Sequence, residues 1–329
     1  MKSLKSKILK SLDDKTFNEL SLEVFSYQYE NCSVYRQFCE LLKKSPQSVN
    51  EPEAIPFLPI EFFKSHKILS SQKPVQKTFT SSGTTGSQTS KHHITDLKLY
   101  EDNSTRIFEK FYGPVEDYCI LALLPSYLER DGSSLVYMVD HFIKKSNNSE
   151  SGFYLNNHEE LYQKLISLEN KSQKTLLIGV SFGLLDFIEK YKLNLNHTIV
   201  METGGMKGRR KEMIREDLHD RLKKGFGVQA IHSEYGMTEL LSQAYSKGAG
   251  IFDLPNTMRI LIRDPEDPLT IFSNYHKTGG INVIDLGNLN SCSFIATQDL
   301  GQKINDNTLK ILGRFDHSDI RGCNLLTLN

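Results

Sequence analysis

The sequence has no excess of charge of either sign. Among its 329 residues, 40 Lys and Arg are balanced by 40 Asp and Glu. Nucleic-acid-binding domains carry a basic surface, so this balance argues against a nucleic-acid partner. The chain also lacks a run of about 18 apolar residues, which a transmembrane helix needs. Its N-terminus has no apolar stretch typical of a signal peptide, and we therefore expect a cytoplasmic protein without a transmembrane segment.

Cysteine is scarce, and its spacing predicts no metal or disulfide framework. No two of the five cysteines form a C-x-x-C pair; they are Cys32, Cys39, Cys119, Cys292 and Cys323. An odd and scattered set favours neither disulfides nor a zinc site. His92 and His93 have no acidic or thiol partners at ligand spacing, so we expect solvated loop histidines rather than a metal centre. No internal repeat is visible.

Hydrophobic periodicity divides the chain into four regions. Residues 1–75 predict helices followed by a proline-containing connector. Residues 76–249 alternate apolar strands with amphipathic helices, the pattern of βαβ units with a mostly parallel sheet flanked by helices. Residues 250–315 contain strand-like runs alone and predict a smaller β-rich subdomain, and 316–329 form a short tail. The fold class is therefore α/β.

The predicted elements can be given with their bounds. Strands are expected at 117–124, 174–179, 197–202, 228–232, 258–263, 281–286, 293–297 and 309–312. Helices are expected at 95–111, 133–145, 157–169, 183–192 and 209–223. Ser133 is a candidate N-cap for one helix, and Gly225 is a candidate for ending another. The amphipathic N-terminal helices fit a homodimer as well as packing within one chain.

The first candidate site is the segment TFTSSGTTGSQTS at 78–90. Its two glycines allow the backbone to approach a ligand closely, and the hydroxyls and successive N–H groups around them suit phosphate oxygens. It is not a P-loop, because no lysine follows in register. The same composition also describes a flexible linker, so both interpretations stay open.

The second candidate is IHSEYGMTEL at 231–240, where a predicted strand ends in a glycine turn. Such a turn at the carboxyl end of a parallel strand faces the ligand crevice. There Thr238 is suited to a phosphate oxygen, Glu239 to Mg²⁺ and Tyr235 to stacking on a base. The alternative is an ordinary corner between a strand and a helix, with Thr238 as a cap.

The third candidate is the pair FIATQDLGQ (294–302) and ILGRFDHSDIRGCN (311–324). Asp299 and Arg314 within a β-rich region are suited to clasping ribose hydroxyls. The alternative is a surface ion pair beside two hairpin turns.

The fourth candidate is GVSFG at 179–183, which fits G-x-S-x-G between a strand and a helix. A nucleophile elbow needs that context. Ser181 would then be the nucleophile and His317 the base, with Asp285 or Asp299 orienting it. The alternative is a tight turn between strand and helix.

Taken in order, the first three segments resemble the adenylate-forming superfamily, which includes the acyl-CoA synthetases. TSSGTTGSQ is similar to its phosphate loop, EYGMTE to its Tyr-Gly-x-Thr-Glu motif, TQDLG to its Thr-Gly-Asp motif and GRFDHSDIRG to its hinge. SSGTTG with EYGMTEL, together with ETGGMKGRR, resembles more closely the acyl-protein synthetases of bacterial luminescence (the LuxE family), relatives of the phenylacetate–CoA ligases. The resemblance covers about residues 50–329.

The resemblance implies a role for each motif in binding Mg·ATP. Nucleotide contacts are expected from Ser81, Ser82, Gly83, Thr84, Thr85, Gly86, Gly204, Gly205, Tyr235, Gly236, Met237, Asp299 and Arg314. Among these, the glycines at 204 and 205 would flank adenine, and Asp299 with Arg314 would hold ribose. Thr238 would contact the α-phosphate, and Glu239 would bind Mg²⁺.

Two departures from the superfamily bear on the chemistry. Gln298 replaces a glycine before Asp299, and the sequence ends soon after Asp316. The resemblance therefore predicts that the mobile C-terminal domain, with its adenylation lysine, is largely missing. Lys207 is the candidate substitute. Cys323 matches the cysteine that carries the acyl group in the LuxE family, and a thiolate is the required nucleophile; an idle cysteine is the alternative.

The expected function is ATP-dependent activation of a carboxylic acid, by resemblance a fatty acid, to acyl-AMP with release of pyrophosphate. The acyl group would then pass to a thiol, with Cys323 as the first candidate, and onward to an acyl reductase or an acyl carrier protein. Two alternatives stay open: a serine acyltransferase or hydrolase built on Ser181, and a non-catalytic nucleotide- or acyl-binding module.

Overall fold

The computed structural model describes residues 2–10, 12–81, 88–124, 132–155, 157–204, 210 and 213–315. Its N-terminal part is helical, as the periodicity predicts, with α1 at Lys2–Ile8, α2 at Asp14–Asn31 and α3 at Ser33–Leu41. Helix α2 begins where the Asp13 side chain accepts a hydrogen bond from the Thr16 N–H at 2.8 Å, which satisfies one of the free donors of the first turn. Phe17 and Val24 point from α2 into the core.

The helices and strands that follow alternate along the chain. The remaining α-helices are α4 (Phe62–Ser65), α5 (Leu97–Tyr112), α6 (Ser134–Ser146), α7 (His158–Asn170), α8 (Ser181–Lys190) and α9 (Arg215–Phe226). The strands are β1 (Leu58–Pro59), β2 (Lys77–Thr80), β3 (Lys91–Ile94), β4 (Cys119–Leu123), β5 (Gly152–Tyr154), β6 (Thr175–Val180), β7 (Thr198–Thr203), β8 (His232–Tyr235), β9 (Ala244–Ser246), β10 (Ile251–Asp253), β11 (Met258–Arg263), β12 (Ile271–Phe272), β13 (Thr278–Asp285), β14 (Phe294–Asn305) and β15 (Thr308–Arg314).

Most predicted elements are confirmed, but the strand expected at 228–232 is wrong in position. Strand β8 begins only at His232, because its ladder is fixed by parallel pairing with β7, where His232 lies opposite Met201. The apolar residues Val228 and Ile231 instead pack against the core before the strand starts. Tertiary pairing has overridden local β propensity here.

The bounds of two helices also differ from expectation. Helix α8 begins two residues earlier, at Ser181, and α9 begins at Arg215 rather than 209. Ser133 does cap α6, since its hydroxyl accepts from the Val136 N–H at 3.3 Å. Gly225 does not end α9; Gly227 does, with a φ of +67°. A Cβ at Gly225 would collide with Ile188 of α8, so this glycine allows the two helices to pack closely.

One large sheet organises the described residues. Its order is β12-β11-β13-β14-β15-β10-β9-β8-β7-β6-β4-β5, with β1 paired to β14 and a separate hairpin of β2 and β3. The pairs from β5 through β4, β6 and β7 to β8 are parallel. From β8 to β12 the neighbours along this order are antiparallel. The α/β prediction is therefore confirmed.

The core has two parts, one on each half of the sheet. The first surrounds the parallel strands and packs them against α5 to α9. The second packs the antiparallel strands against α1 to α3; Phe294 of β14 stacks on Tyr35 at 6.0 Å and meets Phe25 edge-on at 6.1 Å. Each fully buried aromatic or aliphatic side chain of this kind contributes about 1.5–3 kcal/mol. None of the helices in the described parts is long and apolar enough to cross a bilayer.

Candidate functional site

Polar side chains collect where parallel strands β6, β7 and β8 end. Ser181 follows β6, Gly204 follows β7, and Tyr235 is the last residue of β8. The carboxyl ends of adjacent parallel strands lie at one edge of a sheet, where open α/β folds bind their ligands. Below this edge, β6 and β7 run through the apolar core and are almost wholly buried.

Tyr235, Asp299 and Arg314 form one hydrogen-bonded cluster. The Tyr235 hydroxyl donates to Asp299 Oδ2 at 2.7 Å, and Arg314 Nε donates to Asp299 Oδ1 at 3.1 Å. Asp299 and Arg314 lie opposite each other on β14 and β15. Partial burial and the Asp299 charge raise the pKa of Tyr235 well above its ordinary value. The structure thus brings the second and third predicted motifs together.

The turn after β8 carries Thr238 and Glu239. The Glu239 side chain is buried, and burial raises its pKa although the hydrogen bond with Ser90 and the charge of Arg314 act in the opposite direction. Asn288 Nδ2 donates to the Glu239 carbonyl at 2.7 Å. His92 Nδ1 lies 2.8 Å from the Thr238 carbonyl oxygen. Backbone contacts on both sides therefore fix this turn.

The β2–β3 hairpin places the base of the predicted phosphate loop beside this turn. Ser81 N–H donates to the Ser90 carbonyl at 3.1 Å, and the Ser90 N–H donates to Ser81 Oγ at 2.9 Å. Ser90 also contacts the Glu239 side chain. The two ends of the loop are thus tied together next to Glu239. Ser82, Gly83, Thr84, Thr85 and Gly86 lie outside the described residues.

Ser181 is built into a buried polar network. Its hydroxyl donates to the Gly204 carbonyl at 2.8 Å and contacts Glu202 Oε2 at 3.1 Å. Arg215 Nη1 binds the other oxygen of Glu202 at 2.8 Å. Burial disfavours the charge of Glu202, but the His219 hydrogen bond and the Arg215 charge outweigh it and lower the pKa. Ser181 therefore fixes the end of β7, from which the predicted adenine segment continues.

The structure does not assemble a serine hydrolase triad from the described residues. Ser181 is the first residue of helix α8 and does not have a positive φ, whereas the serine of a nucleophile elbow lies on a strained turn. Asp285 is bound by the N–H groups of Leu241 and Ser242 at 2.7 and 3.0 Å rather than facing Ser181. Asp299 belongs to the Tyr235 cluster. The proposed base, His317, lies outside the described residues.

Glu234 is a site residue that sequence reasoning missed. Thr203 Oγ1 donates to its Oε2 at 2.6 Å. Burial, the largest cause, and the charge of Glu202 raise the pKa of Glu234 to about 7. A Cβ at Gly236 would contact the Glu234 carboxylate, so a larger residue there would require the Glu234 side chain to shift. The sequence feature that points to Glu202 and Glu234 is an acidic residue close to the carboxyl end of two successive strands, TIVMET and HSEY.

The remaining residues of the predicted motifs fall into two groups: those that the structure describes and those that lie outside the described residues. Met237 is partly buried in the second core, and Gln298 bonds to Glu61 on the side away from Asp299. Gly205, Lys207, Asp316 and Cys323 lie outside the described residues, as does Arg321. No cluster of three or more metal-ligating side chains occurs in the described ranges.

A family comparison decides the relationship. The profile described as "Acyl-protein synthetase, LuxE" matches residues 7–329. The chain belongs to the LuxE acyl-protein synthetase family. A curated LuxE-type relative, the long-chain-fatty-acid–luciferin-component ligase of Photorhabdus luminescens, is 34% identical over 74 residues, which cover 22% of this chain and 63% of the relative. The match thus spans less than two thirds of that relative.

Solved structures of ligases are similar in fold to this chain. An open form of 2-hydroxyisobutyryl-CoA ligase, in complex with 2-HIB-AMP and CoA, superposes with a TM-score of 0.70 at 12% identity, covering 94% of this chain and 72% of that one. MatB from Rhodopseudomonas palustris gives a TM-score of 0.53 at 16% identity, covering 74% and 48%. At these low identities the two comparisons bear on the fold alone. The fold that the motifs predict, that of the adenylate-forming enzymes, is confirmed.

Proposed function

We propose that this LuxE-family chain activates a carboxylic acid with ATP, forms acyl-AMP and pyrophosphate, and transfers the acyl group to a thiol. A fatty acid is the first substrate class, in keeping with the name of the Photorhabdus relative. The observation that carries the proposal is that side-chain contacts bring three motifs together. They join the Tyr235–Asp299 cluster, the Glu239 turn and the Ser81–Ser90 loop base.

The nucleoside is assigned to the cluster around Asp299. Only 8% of the Asp299 side chain is exposed, but 76% of the Arg314 side chain is. The guanidinium can therefore move from Asp299 to contact the ribose itself and leave a carboxylate oxygen free for the ribose hydroxyls, while Tyr235 keeps Asp299 oriented. We assign the adenine to the segment of Gly204 and Gly205, whose first carbonyl is held by Ser181.

The triphosphate and its metal ion are assigned to the turn and the loop. Mg²⁺ is usually held by one or two carboxylates together with substrate phosphates rather than by an all-protein cage. A single buried carboxylate, Glu239, fits that donor set, and a cation would favour its ionised form against the effect of burial. Ser81 to Gly86 would hold the β- and γ-phosphates, and Thr238 the α-phosphate. The bound ion would neutralise charge on the phosphates.

Adenylation forms a bond between the acid oxygen and the α-phosphorus and breaks the bond to the pyrophosphate oxygen. The reaction needs alignment and stabilisation of charge rather than a covalent contribution from the enzyme. We assign Thr238 to the α-phosphate; the hydrogen bonds that its carbonyl and that of Glu239 accept from side-chain donors support a fixed position for this turn. Lys207 is our candidate for the basic group at the leaving phosphates.

Acyl transfer is assigned to Cys323, whose thiolate would attack the acyl carbonyl and release AMP. The described cysteines are poor alternatives. Burial raises the pKa of Cys39 to about 12 and that of Cys292 well above its usual value, and it raises the pKa of Cys32 and Cys119 as well. Buried thiols of this kind are inert, whereas an adjacent arginine lowers a thiol pKa; Arg321 is two positions before Cys323 in the sequence.

The proposal extends to compartment and partners. The four described cysteines are free, as in proteins of a reducing cytoplasm. An acyl thioester on the protein requires an acceptor, so an acyl reductase or an acyl carrier protein would receive the group. A homodimer through the N-terminal helices is part of the same proposal.

The proposal is tested by nucleotide binding and pyrophosphate release. Wild type should bind Mg·ATP and release pyrophosphate only when a carboxylic acid is present. The double variant Gly83→Val, Glu239→Ala should lose both activities, because it disturbs the phosphate loop and removes the metal ligand. Ser21→Ala, which removes a buried hydroxyl bonded to the Phe17 carbonyl, is the matched control. Unchanged release in the double variant would contradict the assignment.

A further inference from the structure

His92 connects the phosphate-loop hairpin to the Thr238–Glu239 turn. It lies on β3, is fully buried, and packs its ring edge-on against Phe63 at 5.5 Å. Its Nδ1 atom is 2.8 Å from the Thr238 carbonyl oxygen. Through this hydrogen bond, strand β3, which follows the phosphate loop, fixes the backbone of Thr238.

The contact determines the protonation of the ring. A carbonyl oxygen can only accept, so His92 Nδ1 must carry the proton and donate it. Burial, against the smaller effect of this hydrogen bond, lowers the pKa of His92 to about 4. The ring is therefore neutral near pH 7, and Nε2 is an acceptor. Nε2 is buried and has no partner in the described protein.

Two further buried polar atoms without partners belong to residues that line the same small cavity as His92. They are the Thr95 hydroxyl and Asn290 Oδ1. The cavity has a volume of about 10 Å³, close to the minimum that holds one water molecule. The donors and acceptors of this cavity match those of one water molecule. The water can donate to His92 Nε2 and to Asn290 Oδ1 while it accepts from the Thr95 hydroxyl. Three such contacts are typical of a buried structural water.

We propose that His92 is a positioning residue for the Thr238–Glu239 turn, and that it is locked by one ordered water bound to His92 Nε2, Thr95 Oγ1 and Asn290 Oδ1. The water fixes the ring from behind, and Nδ1 then holds the Thr238 carbonyl. The turn keeps its Thr238 and Glu239 groups in register with the phosphate loop. This inference rests on the proposed adenylation site, because its kinetic consequence needs Thr238 and Glu239 to contact Mg·ATP.

Substitutions at His92 separate positioning from simple packing. His92→Phe keeps a ring but removes the Nδ1 donor, whereas His92→Asn retains an N–H donor close to the position of Nδ1. We expect acid-dependent pyrophosphate release to show a kcat about 10- to 100-fold lower in His92→Phe, since small misplacements of catalytic groups have effects of this size. KM for ATP and for the acid should change less than about threefold, and His92→Asn should recover most of kcat.

The matched control is Tyr35→Phe. Tyr35 is a buried residue that donates to a backbone carbonyl, that of Pro56, at 2.7 Å, and it lies in the second core, among the N-terminal helices. The Tyr35→Phe substitution should lower the melting temperature about as much as His92→Phe does but leave kcat unchanged. A His92→Phe enzyme with wild-type kcat, or equal loss of kcat in both variants, would overturn the positioning role.

Two measurements on the wild-type chain remain informative if His92→Phe does not fold or if the chain adenylates no acid. Nitrogen-15 NMR of the His92 ring should show protonation at Nδ1 rather than Nε2, and a high-resolution crystal structure should show one water within hydrogen-bond distance of all three atoms. A ring protonated at Nε2, or a cavity without water, would refute the inference. Absence of pyrophosphate release alone would refute the proposed function and leave these two results unaffected.

Discussion

The contacts of Asp299 give a prediction that can be worked through in numbers. The hydrogen bond from the Tyr235 hydroxyl to Asp299 Oδ2 is 2.7 Å long, and its acceptor is a carboxylate in a residue only 6% exposed. Hydrogen bonds to charged groups contribute about 1.5–3 kcal/mol. The contact from Arg314 to the same carboxylate is 3.1 Å long, but the arginine side chain is 76% exposed. Exposed ion pairs contribute about 0–1 kcal/mol.

A double-mutant cycle compares the two contacts of Asp299. In urea unfolding, Tyr235→Phe and Asp299→Ala should show a coupling energy of about 1.5–3 kcal/mol. Arg314→Ala and Asp299→Ala should be coupled by about 1 kcal/mol or less. Nucleotide affinity, measured by calorimetry, should nevertheless fall in Arg314→Ala, because we place that side chain at the ribose. A larger stability coupling for Arg314 than for Tyr235 would refute this reasoning.

Three further predictions concern buried polar groups of the candidate site. Ser181→Ala should weaken ATP binding, since Ser181 fixes the Gly204 carbonyl, and wild type should not be labelled at Ser181 by a fluorophosphonate; labelling there would restore the hydrolase alternative. Glu234 has a folded-state pKa of about 7, above its ordinary value of 4.5, so it binds a proton more tightly when folded, and its contribution to stability should be lost as pH rises from about 4.5 through 7. Glu234→Gln should flatten that decline in unfolding experiments, and an identical pH profile would contradict it. Glu239→Gln should lower pyrophosphate release at least about 100-fold but preserve or raise the melting temperature, because it removes a charge that burial disfavours; a large loss of stability would show that Glu239 is structural.

Local pattern was sufficient to predict the alternating strands and helices and the order of the site motifs. Apolar runs such as CILAL on β4 and TLLIGV on β6 are buried on both faces of a parallel sheet, and that burial leaves a strong sequence pattern. The junction at Gly179 to Ser181 was also predictable, but its role was not. G-x-S-x-G specifies a turn, whereas the partners of the hydroxyl, Glu202 and Gly204, come from a neighbouring strand.

The features that could not be predicted from the sequence depend on contacts between residues far apart in the chain. Strand β8 is polar along HSEY, and its position depends on pairing with β7. The contact of Tyr235 with Asp299 joins residues 64 positions apart, and that of His92 with Thr238 joins residues 146 positions apart. The prediction that His92 is a solvated loop histidine is wrong, because the residue lies on β3 and is fully buried beside the Thr238 turn. Nothing in its immediate sequence neighbours predicts that burial.

The central claim is that this chain makes an acyl thioester on itself through acyl-AMP. The most direct measurement is intact mass of the purified protein after incubation with Mg·ATP and a panel of straight-chain, short and aromatic carboxylic acids, with pyrophosphate followed in the same samples. We predict acid-dependent pyrophosphate release and a mass increase of one acyl group, which hydroxylamine removes and Cys323→Ser abolishes. No pyrophosphate and no mass increase with any acid would contradict the account.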